Sequence, residues 1–186
     1  MFVREAHRLA CQKKEKQGFL CVFARLFVPL RSEREKDMQQ LNLPPCDLRL
    51  RVTGGRQQVF DVLRRRYVAL TPEEWVRQHF VHFLTAQKGY PQGLLCNEVE
   101  LRVGEKRLRC DTLLYNRELQ PQMIVEYKAP EVVITQRVFD QIAAYDMLLR
   151  VDYLVVSNGM QHYCCRMDHE RHRCTFLNNI PDYESL

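Results

Sequence analysis

Asp111, Glu126 and Lys128 are the side chains in this sequence whose types and spacing suit one piece of chemistry. Glu126 and Lys128 sit in the stretch MIVEYKAP, Met123 to Pro130, which begins as a buried β-strand and then places charges where apolar residues ought to continue. Strand side chains alternate, so Ile124, Glu126 and Lys128 share one face and Met123, Val125 and Tyr127 the other. Asp111, in RCDTLLY, comes fifteen residues before Glu126. A turn near residues 116–121 would lay the two strands side by side and bring both carboxylates to one end of a sheet. Close carboxylates repel and call for a proton or a cation between them, and oxygen-rich sites of this kind suit Mg²⁺. An ammonium at Lys128, aimed at the same place, would help set water against a phosphodiester. Taken alone, Glu126 and Lys128 read as a solvated pair where the strand leaves the sheet; Asp111 and the flanking helices favour the metal site.

The elements that must position these residues are readable. TPEEWVRQHFVHFLTAQKG predicts a helix with Thr71 as N-cap, Pro72 at the first position and Glu74 completing a capping box. Val76, Phe80, Phe83 and Leu84 form its apolar face, and Gly89 ends it. Three strands follow at 97–103, 107–115 and 123–128, joined by a tight turn at Gly104-Glu105 and a polar turn at NRELQP. Such spacing implies an antiparallel meander. A second helix is expected over 135–149, then strands at 152–157, 161–167 and 174–177, with a turn at Asn158-Gly159. Short strands are also expected at 47–52, 58–62 and 67–70. The order gives an α/β sandwich around a mixed central sheet flanked by helices. No phosphate loop, dinucleotide fingerprint or serine elbow is present.

Asp111 followed by Glu126-Tyr127-Lys128, within an αβββαβ order, resembles the PD-(D/E)xK nuclease superfamily. More narrowly, EEWVRQ, GYP at 89–91, RCDTLLY, MIVEYKAP and VVSNG at 155–159 resemble the N-terminal nuclease domain of type I restriction enzyme R subunits, over roughly Thr71 to Gly159. The resemblance implies a restriction-endonuclease-like fold that cleaves DNA with Mg²⁺ or Mn²⁺, with Asp111 and Glu126 as metal ligands and Lys128 as the catalytic lysine. It also implies a further carboxylate from the first helix at Glu73, four residues before Arg77, with Arg77 toward the substrate. Glu73 reads equally as an ordinary acidic residue in a first helical turn. Gln141 and Tyr145 match the Gln-x-x-x-Tyr pattern that lines the active site and contacts substrate in related nucleases. Cys110 stands where the superfamily's nominal proline would be.

Composition sets bounds on this reading. The 186 residues suit one globular domain, 71–186, preceded by a short-strand segment at 38–70 and an extension at 1–37. The net charge of +5 is uneven: residues 1–37 hold nine Lys/Arg and five Asp/Glu, leaving the remainder at +1. Met38 is a candidate natural start, because RSEREKD precedes it and the apolar run at 18–30 is broken by Arg25. Eight cysteines without CxxC pairs suggest reduced thiols, and the irregular spacing of Cys164, Cys165, His169, His172 and Cys174 argues against zinc. No apolar run approaches the ~18 residues of a membrane span; the resemblance implies a cytoplasmic protein with DNA, and other restriction or repair subunits, as partners. No Walker A motif is present, so an R subunit's ATP-driven motor is not expected within these 186 residues. A non-catalytic nucleic-acid-binding or assembly module on the same fold is the alternative, and RNA as substrate is a third possibility.

Overall fold

The computed structural model describes residues 38–103, 106–171 and 173–186, and the side chains of these except within 101–108 and 143–148. The expected extension at 1–37 and the Gly104-Glu105 turn lie outside the described residues. Eleven main elements follow in order: β1 (Leu50–Thr53), β2 (Arg56–Asp61), β3 (Arg66–Ala69), α1 (Pro72–Gln87), β4 (Leu95–Val103), β5 (Lys106–Tyr115), β6 (Pro121–Tyr127), α2 (Gln136–Leu149), β7 (Tyr153–Ser157), β8 (His162–Asp168) and β9 (Arg173–Leu177). They form two sheets, a three-stranded β1-β2-β3 and a six-stranded β4-β5-β6-β7-β8-β9. Every ladder is antiparallel except β6 with β7, which run parallel because α2 carries the chain back over the sheet.

The alternation read in MIVEYKAP decides which layer each residue joins. Met123, Val125 and Tyr127 pack with Val76, Phe80 and Leu84 of α1 on one face of the large sheet. Ile124 packs with Val138, Phe139 and Ile142 of α2 on the other. With a helix on each side, β7 is buried at every position, as expected of a strand covered on both faces.

α1 begins as its sequence requires. Thr71 is extended and its Oγ1 accepts from the Glu74 N–H at 3.0 Å, with Pro72 in the first turn. Only half of the expected capping box forms: the Thr71 N–H donates to the Ala69 carbonyl, and the Glu74 carboxylate is drawn elsewhere by two arginines and a glutamine. A positive φ of 71° at Gly89 turns the chain after the helix, where glycine carries no Cβ penalty. The single apolar stripe understates the burial of α1, since every residue from Glu74 to Val81 is buried. The segment before the small sheet explains this: Leu41 joins the same core, and the Trp75 Nε1–H donates to the Gln39 carbonyl at 3.0 Å.

Candidate functional site

The large sheet opens where its charged residues gather. The β5–β6 ladder begins at Thr112 opposite Val125, and the next position, Asp111 beside Glu126, is not a backbone pair. In its place the Asp111 side chain reaches across: Oδ2 accepts from the Tyr127 N–H at 2.8 Å. On its other side β5 meets a second irregularity. Asn97 pairs with Thr112 and Val99 with Cys110, leaving Glu98 opposite Asp111 with φ at +57°. A non-glycine residue held left-handed inside a strand is uncommon and occurs mostly where surrounding contacts fix it.

Those contacts converge on Arg77 of α1, whose side chain is 3% exposed. Its Nη2 donates to Asp111 Oδ1 at 2.8 Å, and its Nη1 lies 3.0 Å from Glu74 Oε2 and 2.5 Å from Glu98 Oε1. Glu73 sits at 4.0 Å, its side chain 45% exposed. Burial alone would lower the affinity of the guanidinium for its proton, but the Glu74, Asp111 and Glu98 charges outweigh it and hold the group firmly cationic. Arg77 was expected to face substrate; its guanidinium is spent on carboxylates inside the protein. Glu74 also accepts from Arg64 Nη2 and Gln78 Nε2, each at 2.8 Å.

Glu126 lies on the α2 face, as alternation requires, and is 4% exposed. Its Oε1 accepts from Lys128 Nζ at 2.8 Å and from Gln141 Nε2 at 2.9 Å. Its Oε2 is buried and accepts nothing, one of three such side-chain atoms among the described residues. Burial first, and then repulsion from Asp111, push the Glu126 carboxyl up to about 7, against the pull of Lys128. Glu73 is raised for the same two reasons. Burial opposes the charge on Lys128, yet its hydrogen bond to Glu126 and the nearby carboxylates hold its affinity for the proton above the ordinary value.

Asp111, Glu126, Lys128 and Gln141 therefore come together, Glu73 stands at the rim beside Arg77, and the Tyr145 side chain lies outside the described residues. Among the described residues no three His, Cys, Asp or Glu side chains already form a metal cage. The donor set nevertheless fits a hard divalent cation: a Glu126 carboxyl whose affinity for its proton is raised by burial and by Asp111, and whose buried Oε2 has no donor, is what such an ion relieves. Two acidic residues of this network escaped sequence reasoning. Glu98 carries no motif, and Glu74 had an adequate local explanation as a cap. The spacing of Glu74 and Arg77, three apart on one helix, was the available signal for the latter.

Comparison with known proteins supplies the family. A sequence profile of the type I restriction enzyme R protein N terminus matches residues 72–181, more than half of the chain, from the start of α1 past β9. Among solved structures, a fragment assigned to the HsdR subunit of a type I restriction enzyme from Vibrio vulnificus YJ016 is similar at 18% identity and a TM-score of 0.44, over 60% of this chain and 24% of that chain. The chain thus spans about a quarter of the length of that fragment. No curated protein sequence matches it. On the extent of the profile match, the chain belongs to the family of type I restriction enzyme R protein N-terminal domains.

Proposed function

We propose that this protein is a divalent-metal-dependent nuclease of the PD-(D/E)xK type that hydrolyses DNA phosphodiester bonds. One observation carries the reading: at the splayed end of β5 and β6, Asp111 and Glu126 stand beside Lys128, and the carboxylate oxygen Glu126 Oε2 is buried without a donor. Asp111 and Glu126 would hold Mg²⁺ or Mn²⁺, with Glu73 as a further ligand from the rim. When bound, the cation would offset negative charge on the phosphoryl oxygens and make water more acidic.

The chain's own groups account for the rest. Lys128, held at the site by its hydrogen bond to Glu126, serves as a donor to a non-bridging phosphate oxygen and orients the attacking water. Gln141 fixes the Glu126 carboxylate through Oε1 and leaves Oε2 without a donor. The Tyr127 N–H and Arg77 clamp the two oxygens of Asp111, making Arg77 a positioning residue. In the reaction the water gives one proton to solvent as its oxygen bonds to phosphorus, the bridging P–O bond breaks, and the departing oxygen takes one proton from solvent.

Single- and double-stranded DNA incubated with the protein and Mg²⁺ or Mn²⁺, beside a Lys128→Ala variant and an EDTA control, tests the reading. Cutting that needs metal and falls by about 10²-fold or more in the variant is expected, the usual effect of losing one donor to a developing oxyanion. Metal-independent cutting, or an undiminished rate in the variant, would refute it. A non-catalytic DNA-binding module has one observation in its favour: Arg77 and Lys128 already neutralise both carboxylates. That reading predicts no cutting under any metal.

A further inference from the structure

The small sheet carries a charge pattern that the site does not use. Residues 49–69 contain six arginines and one acidic residue, Asp61, whereas residues 70–186 contain thirteen Lys/Arg and sixteen Asp/Glu. The positive charge of the described residues is therefore concentrated in about twenty positions, all before the family match begins at residue 72. Asp61 does not offset it at the surface, because it is fully buried and occupied by Arg64, Asn97 and the turn N–H groups of Leu63 and Arg64.

Strand alternation sorts the rest. Val59 and Asp61 face inward, and Arg49, Arg51, Arg56, Gln58, Phe60 and Tyr67 share the outward face. There the Arg49 guanidinium stacks over the Phe60 ring at 3.9 Å and that of Arg51 over the Tyr67 ring at 3.8 Å. Gln58 Oε1 accepts from Arg51 Nε at 2.7 Å. Among the described residues none of Arg49, Arg51 and Arg56 pairs with a carboxylate, and all three are exposed. Each stack holds a guanidinium plane in place, so less side-chain freedom is lost when its N–H groups take a phosphate. The inner side of the same sheet leads toward the site: Arg64 bridges Asp61 to Glu74, and Glu74 holds Arg77, which holds Asp111.

We propose that the outward face of β1-β2-β3 is a docking surface for the phosphodiester backbone of DNA, gripped by Arg49, Arg51 and Arg56 on a platform of Phe60 and Tyr67. The identification of the polyanion as DNA rests on the function proposed above; the surface itself rests on charge and stacking.

The test measures binding apart from cutting. The full chain, in EDTA, is titrated into a fluorescein-labelled 30-nucleotide DNA strand and its duplex at several salt concentrations. Arg49→Gln/Arg51→Gln/Arg56→Gln should weaken binding to both at least ten-fold and flatten the log K against log salt slope by about two to three, since each lost phosphate contact removes roughly 0.7–0.9. Arg117→Gln/Arg166→Gln/Arg173→Gln, an exposed triple with the same charge change, should shift affinity less than three-fold. Equal losses in the two triples would reduce the effect to net charge and overturn the proposal, as would no loss in the first. If the first triple fails to fold, photocrosslinking of the wild type to bromodeoxyuridine-substituted DNA decides: adducts within residues 49–69 support the surface, and adducts only elsewhere overturn it. If metal-dependent cutting occurs while the first triple binds like wild type, the surface fails and the nuclease stands. If no cutting occurs but binding is lost in the triple, the surface stands and the nuclease fails.

Discussion

The two sheets use arginine in opposite ways. At the rim of the large sheet Arg77 is buried among Glu74, Glu98 and Asp111, and its charge is consumed inside the protein. On the small sheet Arg49 and Arg51 lie over aromatic rings with no carboxylate partner among the described residues, and their charge is presented outward. A buried ion pair is costly to break because the stranded partners remain desolvated, whereas an exposed cation can be removed with little effect on the fold. One arginine thus holds carboxylates in shape inside the protein; the others leave their charge open to a partner.

The largest expected effect breaks the first half of that comparison. Arg77→Met should destabilise the protein by about 3–5 kcal/mol in urea unfolding, because three buried or half-buried carboxylates lose their shared cation. Gly159→Ala should come next, at about 1–3 kcal/mol in the same measurement. Gly159 has φ at +79°, and an added Cβ would lie 2.7 Å from Leu41 Cδ2 and 3.1 Å from Val76 Cγ2, prying the N-terminal segment from α1.

A third expectation concerns pH. The Glu126 carboxyl binds its proton more tightly folded than unfolded, so its contribution to stability is full below about 4.5 and is lost as pH rises through about 7. A cation between the carboxylates would offset that loss. Saturating Mg²⁺ should therefore raise the Tm more at pH 8 than at pH 6, and Glu126→Gln should erase the difference; equal Mg²⁺ shifts at both pH values in the wild type would count against Glu126 as a ligand. The smallest effect sharpens the other half: Arg49→Gln or Arg51→Gln should cost less than about 1 kcal/mol, the scale of an exposed cation–π contact. A cost matching that of Arg77→Met would mean that the two sheets do not differ in the way described.

Much of this arrangement was legible in the sequence, for local reasons. Thr71, Pro72 and Gly89 mark α1 because caps and left-handed turns depend on single residue types. The alternation in MIVEYKAP assigns Glu126 to the α2 face because a strand has only two faces, and the short NRELQP turn brings Asp111 beside it. What escaped is tertiary. Glu74 has a satisfactory role as a cap until Arg64, ten residues earlier, competes for its carboxylate. Glu98 looks like an exposed strand residue until the register sets it opposite Asp111 and Arg77 draws it in with a positive φ. The short strands before α1 were visible, but their closure into a separate sheet with one arginine-rich face depends on pairing that no single strand specifies.

The central claim is that Asp111 and Glu126 form a divalent-cation site. Isothermal titration of Mn²⁺ into the full chain at pH 7.5, beside the isosteric Asp111→Asn variant, tests it most directly. Saturable binding to the wild type that weakens by ten-fold or more in the variant is the predicted result; equal binding to both, or none to either, would contradict the claim.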